Sequence, residues 1–83
     1  MENILEDGLA ALAGQKWFEA KIDFKVYNKD AAVAELSNGE FVWISGAVKY
    51  HKGVTLLVRI KPQRGVVGEM TLSYIATEYK VQP

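Results

Sequence analysis

The sequence predicts a small α+β domain. A short N-terminal helix over residues 1–14 is followed by an antiparallel meander of about five strands over residues 16–81, and the sheet can curl into a small barrel. Three observations carry this. Leu5, Leu9 and Leu12 recur at helical spacing, the apolar period changes to two from Lys16 onward, and three short turn sequences divide the rest of the chain. All 83 residues are read as one domain.

In the first segment, NILEDGLAALAG, Asn3 suits a helix cap, Glu6 completes a capping box and Gly14 suits the stop. Gly8 weakens this helix by about 1 kcal/mol relative to alanine, so it depends on tertiary packing. The first strand alternates Phe18, Ala20, Ile22, Phe24 and Val26 with Glu19, Lys21, Asp23 and Lys25, giving one apolar and one polar face. NKD, SNG and HKG then read as three-residue hairpin loops, two of them ending in a glycine suited to left-handed backbone. With such loops Val26 faces Ala32, Leu36 faces Glu40 and Tyr50 faces Val54, and even-numbered positions oppose even-numbered positions throughout. One pairing is unfavourable: Asp23 stands across from Glu35, which counts against the register more than it argues for a carboxylate site.

DAAVAEL is alanine-rich and Asp30 could cap a helix there; the agreement in register favours a strand. KPQRGVVG reads as the longest irregular connection. The last strand alternates through Met70, Leu72, Tyr74 and Ala76, and Tyr79 and Val81 break that parity, which places a bulge or strand end near Thr77. A helix ahead of a bent five-stranded sheet is similar to the layout of Sm-like proteins. The chain carries no Sm sequence pattern, so the likeness bears on architecture alone.

Composition narrows the chemistry. With no cysteine, disulfides, thiolate catalysis and zinc–thiolate sites are excluded, and a reducing cytosol is a compatible setting. One histidine, His51, excludes a multi-histidine metal site within the chain. No apolar run reaches the ~20 residues of a membrane span, and the acidic N-terminus does not resemble a signal peptide. WISGA lacks the glycine before the serine that a nucleophile elbow needs, and the G-x-x-G of RGVVG joins two strands and reads as a turn. No cofactor motif appears.

The expected working surface is the odd-numbered face. Val33, Phe41, Trp43, Ala47 and Leu57 fall there, where alternation calls for polar residues. In this register Val33 opposes Trp43, Ala47 opposes Leu57, Ser45 opposes Arg59, and Trp43 opposes Lys61 with a cation–π contact in reach. Either the helix covers this face while the sheet curls around the even one, or the helix helps cover the even face and the patch stays exposed, as interfaces do. The second arrangement is favoured.

Formal net charge is zero, yet Phe41 to Gly68 holds five basic residues and no acid. The expectation is therefore a non-enzymatic, cytoplasmic binding protein. It would grip a protein partner, or a second copy, through Trp43, Phe41, Val33, Leu57, Arg59, Lys61 and Lys49. Small size and missing chemistry fit an adaptor or inhibitor of the kind phage and mobile elements carry. The alternative is a single-strand nucleic-acid binder, with Trp43 and Phe41 stacking on bases and Lys49, Arg59 and Lys61 on phosphates.

Overall fold

The computed structural model describes residues 16–82. They form five strands: β1 (Phe18–Val26), β2 (Ala31–Leu36), β3 (Phe41–Ser45), β4 (Thr55–Val67) and β5 (Met70–Val81). Among the described residues there is no α-helix, only two single 3-10 turns, Tyr27–Lys29 and Ala47–Lys49. The predicted N-terminal helix lies outside the described residues.

The sheet closes on itself in the order β1-β2-β3-β5-β4. β1, β2 and β3 pair in sequence, antiparallel, and β4 returns to lie antiparallel beside β1. That is the 4-1-2-3 order of a Greek key. β5 fills the remaining gap, antiparallel to β4 and parallel to β3.

This corrects the simple meander, and the Sm-like layout with it, because HKG does not close a β3–β4 hairpin. Directly after Ser45, Gly46 takes φ 82° and the chain turns out of the sheet. Ala47 is fully buried, and Tyr50 and Val54 pack against the core, so residues 46–54 pack across the ring instead of extending β3. The HKG turn keeps its left-handed glycine, Gly53 at φ 92°, but docks on β1. The Gly53 N–H donates to the Ile22 carbonyl and the Ile22 N–H to the Val54 carbonyl, both at 2.8 Å.

Several other expectations hold. Ala34 faces Val42 and Ala32 faces Ile44 across SNG, where Gly39 has φ 88°. DAAVAEL is a strand, and Asp30 closes the preceding turn in the left-handed region at φ 54° instead of capping a helix. On β5 the register steps from Glu78 to Ala76 opposite Arg59 and Ile60, so Thr77 is the extra residue of a bulge and Tyr79 returns to the core side. KPQRGVV is not irregular: β4 continues to Val67 and turns into β5 through Gly68 and Glu69.

β1 differs from its alternation. A shift between Ile22 and Phe24 puts Lys21, not Asp23, opposite Glu35, and pairs Phe24 with Val33. The like-charge pairing disappears, and Phe24 and Val26 are carried to the outer face.

The core is a match of large against small. Ala32 faces Ile44, Ala34 faces Ile22 and Val42, and Ala20 faces Leu36 and Leu56. All are buried in one cluster with Val58, Ile60 and Tyr74. A ring this narrow has room for branched chains only where the neighbouring strand gives up volume, which explains the alanines of β2.

The packing sets two measurable expectations. A Cβ on Gly46 would lie 3.0 Å from the Tyr79 hydroxyl, which itself donates to the Gly46 carbonyl. Gly46→Ala must therefore disturb this contact and hold a left-handed alanine, a loss of about 1–2 kcal/mol from the backbone term alone. Urea unfolding of Gly46→Ala beside Tyr79→Phe measures it, and an unchanged midpoint in both would exclude the proposed strain. Ile44→Ala, which empties a fully buried position, should lose roughly 2–5 kcal/mol in the same assay. Trp43→Ala, on the opposite face of β3, should lose less; the reverse ranking would mean that the faces are inverted.

Candidate functional site

On the outer face one row of paired residues crosses the ring: Phe24, Val33, Trp43, Ile75 and Lys61. Trp43 is partly exposed in the middle of it, with its indole N–H donating to Ser45 Oγ at 3.3 Å. That bond fixes the ring edge and leaves the ring to act through its apolar face.

Beyond this row lies the end of the β4–β5 hairpin. The register slips between Pro62 and Gly65, inserting one extra residue into β4. An extra residue on one strand bends the pair. A cleft of about 200 Å³ is lined by Trp43, Ile75, Leu72, Arg64, Gly65 and Val66. Val66 is 70% exposed, second only to Tyr27 among the large apolar side chains of the described residues. Arg64 and Lys61 are exposed and have no ion pair among the described residues.

Of the seven residues expected to form the surface, the structure gathers some and scatters others. Trp43 is at the centre. Lys61 lies in the same row but with Ile75 between them, so the expected direct opposition is replaced by a one-strand gap. Phe41 points outward beside Glu35, next along β3.

Val33 is on the expected face but is fully buried, so it is not part of an open patch. Leu57 sits between Glu19 and Lys80, on the β1–β4–β5 part of the ring. Arg59 is engaged internally: its Nη1 meets Glu78 Oε1 at 3.2 Å and its guanidinium stacks 4.8 Å from the Trp17 ring. Its Nε is buried without a hydrogen-bond partner, a sign of a side chain held down by packing. Lys49 lies in the 3-10 turn after β3, with Nζ 5.3 Å from the Tyr50 ring. The single basic rim is thus an artefact of the linear sequence; only Lys61 and Arg64 accompany Trp43.

Sequence reasoning missed Arg64, Val66, Leu72 and Ile75 as a group. Three signals were present: a valine pair after glycine, an arginine in the same stretch, and an isoleucine at an odd position of the last strand. The role of Trp17, whose ring lies 4.8 Å from the Arg59 guanidinium and 4.3 Å from Lys80 Nζ, was also not foreseen.

A second depression of about 220 Å³ runs over β1 between Glu19, Lys21, Glu35 and Thr55. Two acids and one base line it, so its formal charge is a single negative one. Among the described residues no group of three or more His, Asp or Glu side chains could hold a metal ion. His51 is exposed in its loop. No helix among the described residues is long and apolar enough to cross a membrane. No family model, curated protein or solved structure matches this chain.

Proposed function

We propose that the protein is a binding domain without catalytic chemistry, which holds a protein partner through the Trp43 cleft. The observation that carries this is the cleft itself: a tryptophan and an exposed valine lining about 200 Å³ beside Arg64, which has no ion pair among the described residues. Small-molecule sites usually measure roughly 300–1,000 Å³. This one is nearer the size of a single large side chain. An aliphatic or aromatic anchor entering it would meet Trp43 and Ile75, and an acidic neighbour would meet Arg64 or Lys61. Trp and Arg are the residues that most often dominate such contacts. An adaptor or inhibitor, acting in a reducing compartment, fits this chemistry.

Display of random peptides against the whole chain tests the reading with no partner in hand. Selected peptides should share one large apolar anchor with a nearby acid. Trp43→Ala, checked as folded by circular dichroism, should bind them about thirtyfold more weakly or worse, the equivalent of 2 kcal/mol. Peptides without a shared anchor, or binding indifferent to Trp43, would overturn it.

A second reading rests on Trp43, Lys61 and Arg64 lying together, since aromatic faces beside cations also hold single-stranded nucleic acid. A Greek key closed by a fifth strand is also the plan of the OB-fold, though a shared plan does not assign a function. The formal net charge of zero and the internal engagement of Arg59 weigh against it. If it holds, oligo-dT or oligo-U binding should fall steeply with salt, and Lys61→Gln with Arg64→Gln should flatten that slope by about one ion per lost phosphate contact. No binding at low salt removes it.

A further inference from the structure

β4 outruns its neighbour in the ring. Its last register pair with β1 is Val58 with Phe18, yet β4 continues to Val67. Trp17 lies over Arg59, and the Ile60 side chain is fully buried. Beyond them, residues 61–67 pair with β5 on one side. Among the described residues no backbone group bonds them on the other. At about 3.3 Å per residue this is an open edge of roughly 23 Å.

An open strand edge invites pairing with another chain, and proteins blunt it with lysine, proline and bulges. The first half of this edge is blunted in that way, by Lys61, by Pro62 with no N–H to donate, and by the register slip after it. Gly65, Val66 and Val67 pair regularly with Leu72, Thr71 and Met70 and carry no such device. Val67 and Met70 close a two-residue turn as a hydrogen-bonded pair. Alternation then directs the N–H and C=O of Val66 to the free edge. Gly65 is a glycine that the described chain does not require. A Cβ there would meet nothing within 4 Å, and its backbone is not left-handed. A glycine inside a strand often marks the close approach of another backbone.

We propose that residues 65–67 of β4 accept an extended segment of a protein partner as an added strand, running along the Trp43 cleft. This rests on the protein-partner reading above and adds how the partner is held. Edge and cleft are continuous, because Gly65, Val66 and Val67 line the cleft together with Trp43, Leu72 and Ile75. Paired residues project to the same side of a sheet. Gly65 therefore shares a side with Leu72, and the exposed Val66 lies on the other. An added strand alternates its side chains. Those on the Gly65 side reach towards the cleft past a residue with no side chain, and those on the other side cover Val66.

Charge selects the occupant. Lys61 and Arg64 are exposed with no ion pair among the described residues, and no acid lies between Phe41 and Gly68. The fitting segment carries apolar and acidic residues. A second copy fits poorly, since it would set Lys61 and Arg64 near their own duplicates.

The probe is a blocked synthetic peptide of about six residues alternating valine and glutamate, too charged to pair with itself. Added to the full isotope-labelled chain, it should shift the amide signals of Gly65, Val66 and Val67 and show cross-strand Hα contacts to them. Successive amides of an extended peptide point to opposite edges. Of two versions, N-methylated on the valines or on the glutamates, one should bind like the parent and the other about tenfold more weakly or worse. Val66→Pro removes the outward N–H at an edge position that tolerates proline, and should cause a similar loss. Val66→Thr, which keeps the N–H, should bind within a few-fold. The methylated peptides keep the test decisive even where Val66→Pro unfolds. No shift at millimolar peptide, shifts centred on another strand, equal behaviour of the two methylated versions, or undiminished binding by a folded Val66→Pro would each overturn the added strand. So would a Val66 amide already protected from hydrogen exchange without peptide, because the edge would then be occupied. Trp43→Ala separates this proposal from the cleft anchor. Binding that needs the Val66 N–H and ignores Trp43 leaves the strand without the anchor, and the reverse pattern leaves the anchor without the strand.

Discussion

The structure depends on a very short seam. β3 and β5 meet in parallel through two register pairs, Val42 with Tyr74 and Trp43 with Ile75, and this contact closes the sheet. Without it β3 and β5 would each present an open edge of unsatisfied backbone groups. With it the inner side chains face one another across a closed space, and a chain of 83 residues gains a core that an open sheet of the same strands would half expose to water. The same two pairs put Trp43 beside Ile75 on the outside. The seam that completes the core therefore also assembles the centre of the candidate site.

Closure explains features that look weak in isolation. Three alanines in β2 are poor strand formers. Two of them, Ala32 and Ala34, face inward, and their small volume makes room for Ile44, Ile22 and Val42 inside a narrow ring. The bulge at Thr77 and the register slip after Pro62 are where β5 and β4 bend to follow the curve. Gly46 lets the chain leave β3 abruptly and gives the Tyr79 hydroxyl a carbonyl to bond. Tyr50 then packs edge-on against Tyr79, with ring centres 6.1 Å apart, so the β3–β4 crossing is anchored by aromatic contacts.

Much of the local structure was legible, and little of the non-local structure. Period-two alternation states which face a residue takes, so Ile44 inward and Trp43 outward could be read. Turn chemistry located Gly39 and Gly53, and the break in parity at Tyr79 located the bulge. Alternation does not say which strand lies beside which. HKG carried a valid turn signal, but the strands around it have other partners, so the opposition of Arg59 to Ser45 and of Leu57 to Ala47 dissolved. The bulge in β1 reversed Phe24 and Val26; its trace in the sequence was the Asp23–Glu35 clash, an electrostatic cost the real register avoids. For the candidate site, Trp43 was legible by face alone; Phe41 shares that face but does not line the cleft. Arg59 and Lys49 were misplaced because charge adjacency along a chain says nothing about what each cation touches.

The Greek key also has a consequence in time. β1, β2 and β3 pair through short turns, and so do β4 and β5, so each half of the ring can zip by local contacts. The two joints between halves are distant: Phe18 pairs with Val58 and Trp43 with Ile75. Bringing such remote segments together demands chain entropy before the contacts repay it. Folding rates fall as that separation grows, towards the millisecond-to-second range of all-β domains. Joining the two halves is therefore the step that closes the longest loops and carries the largest entropic cost.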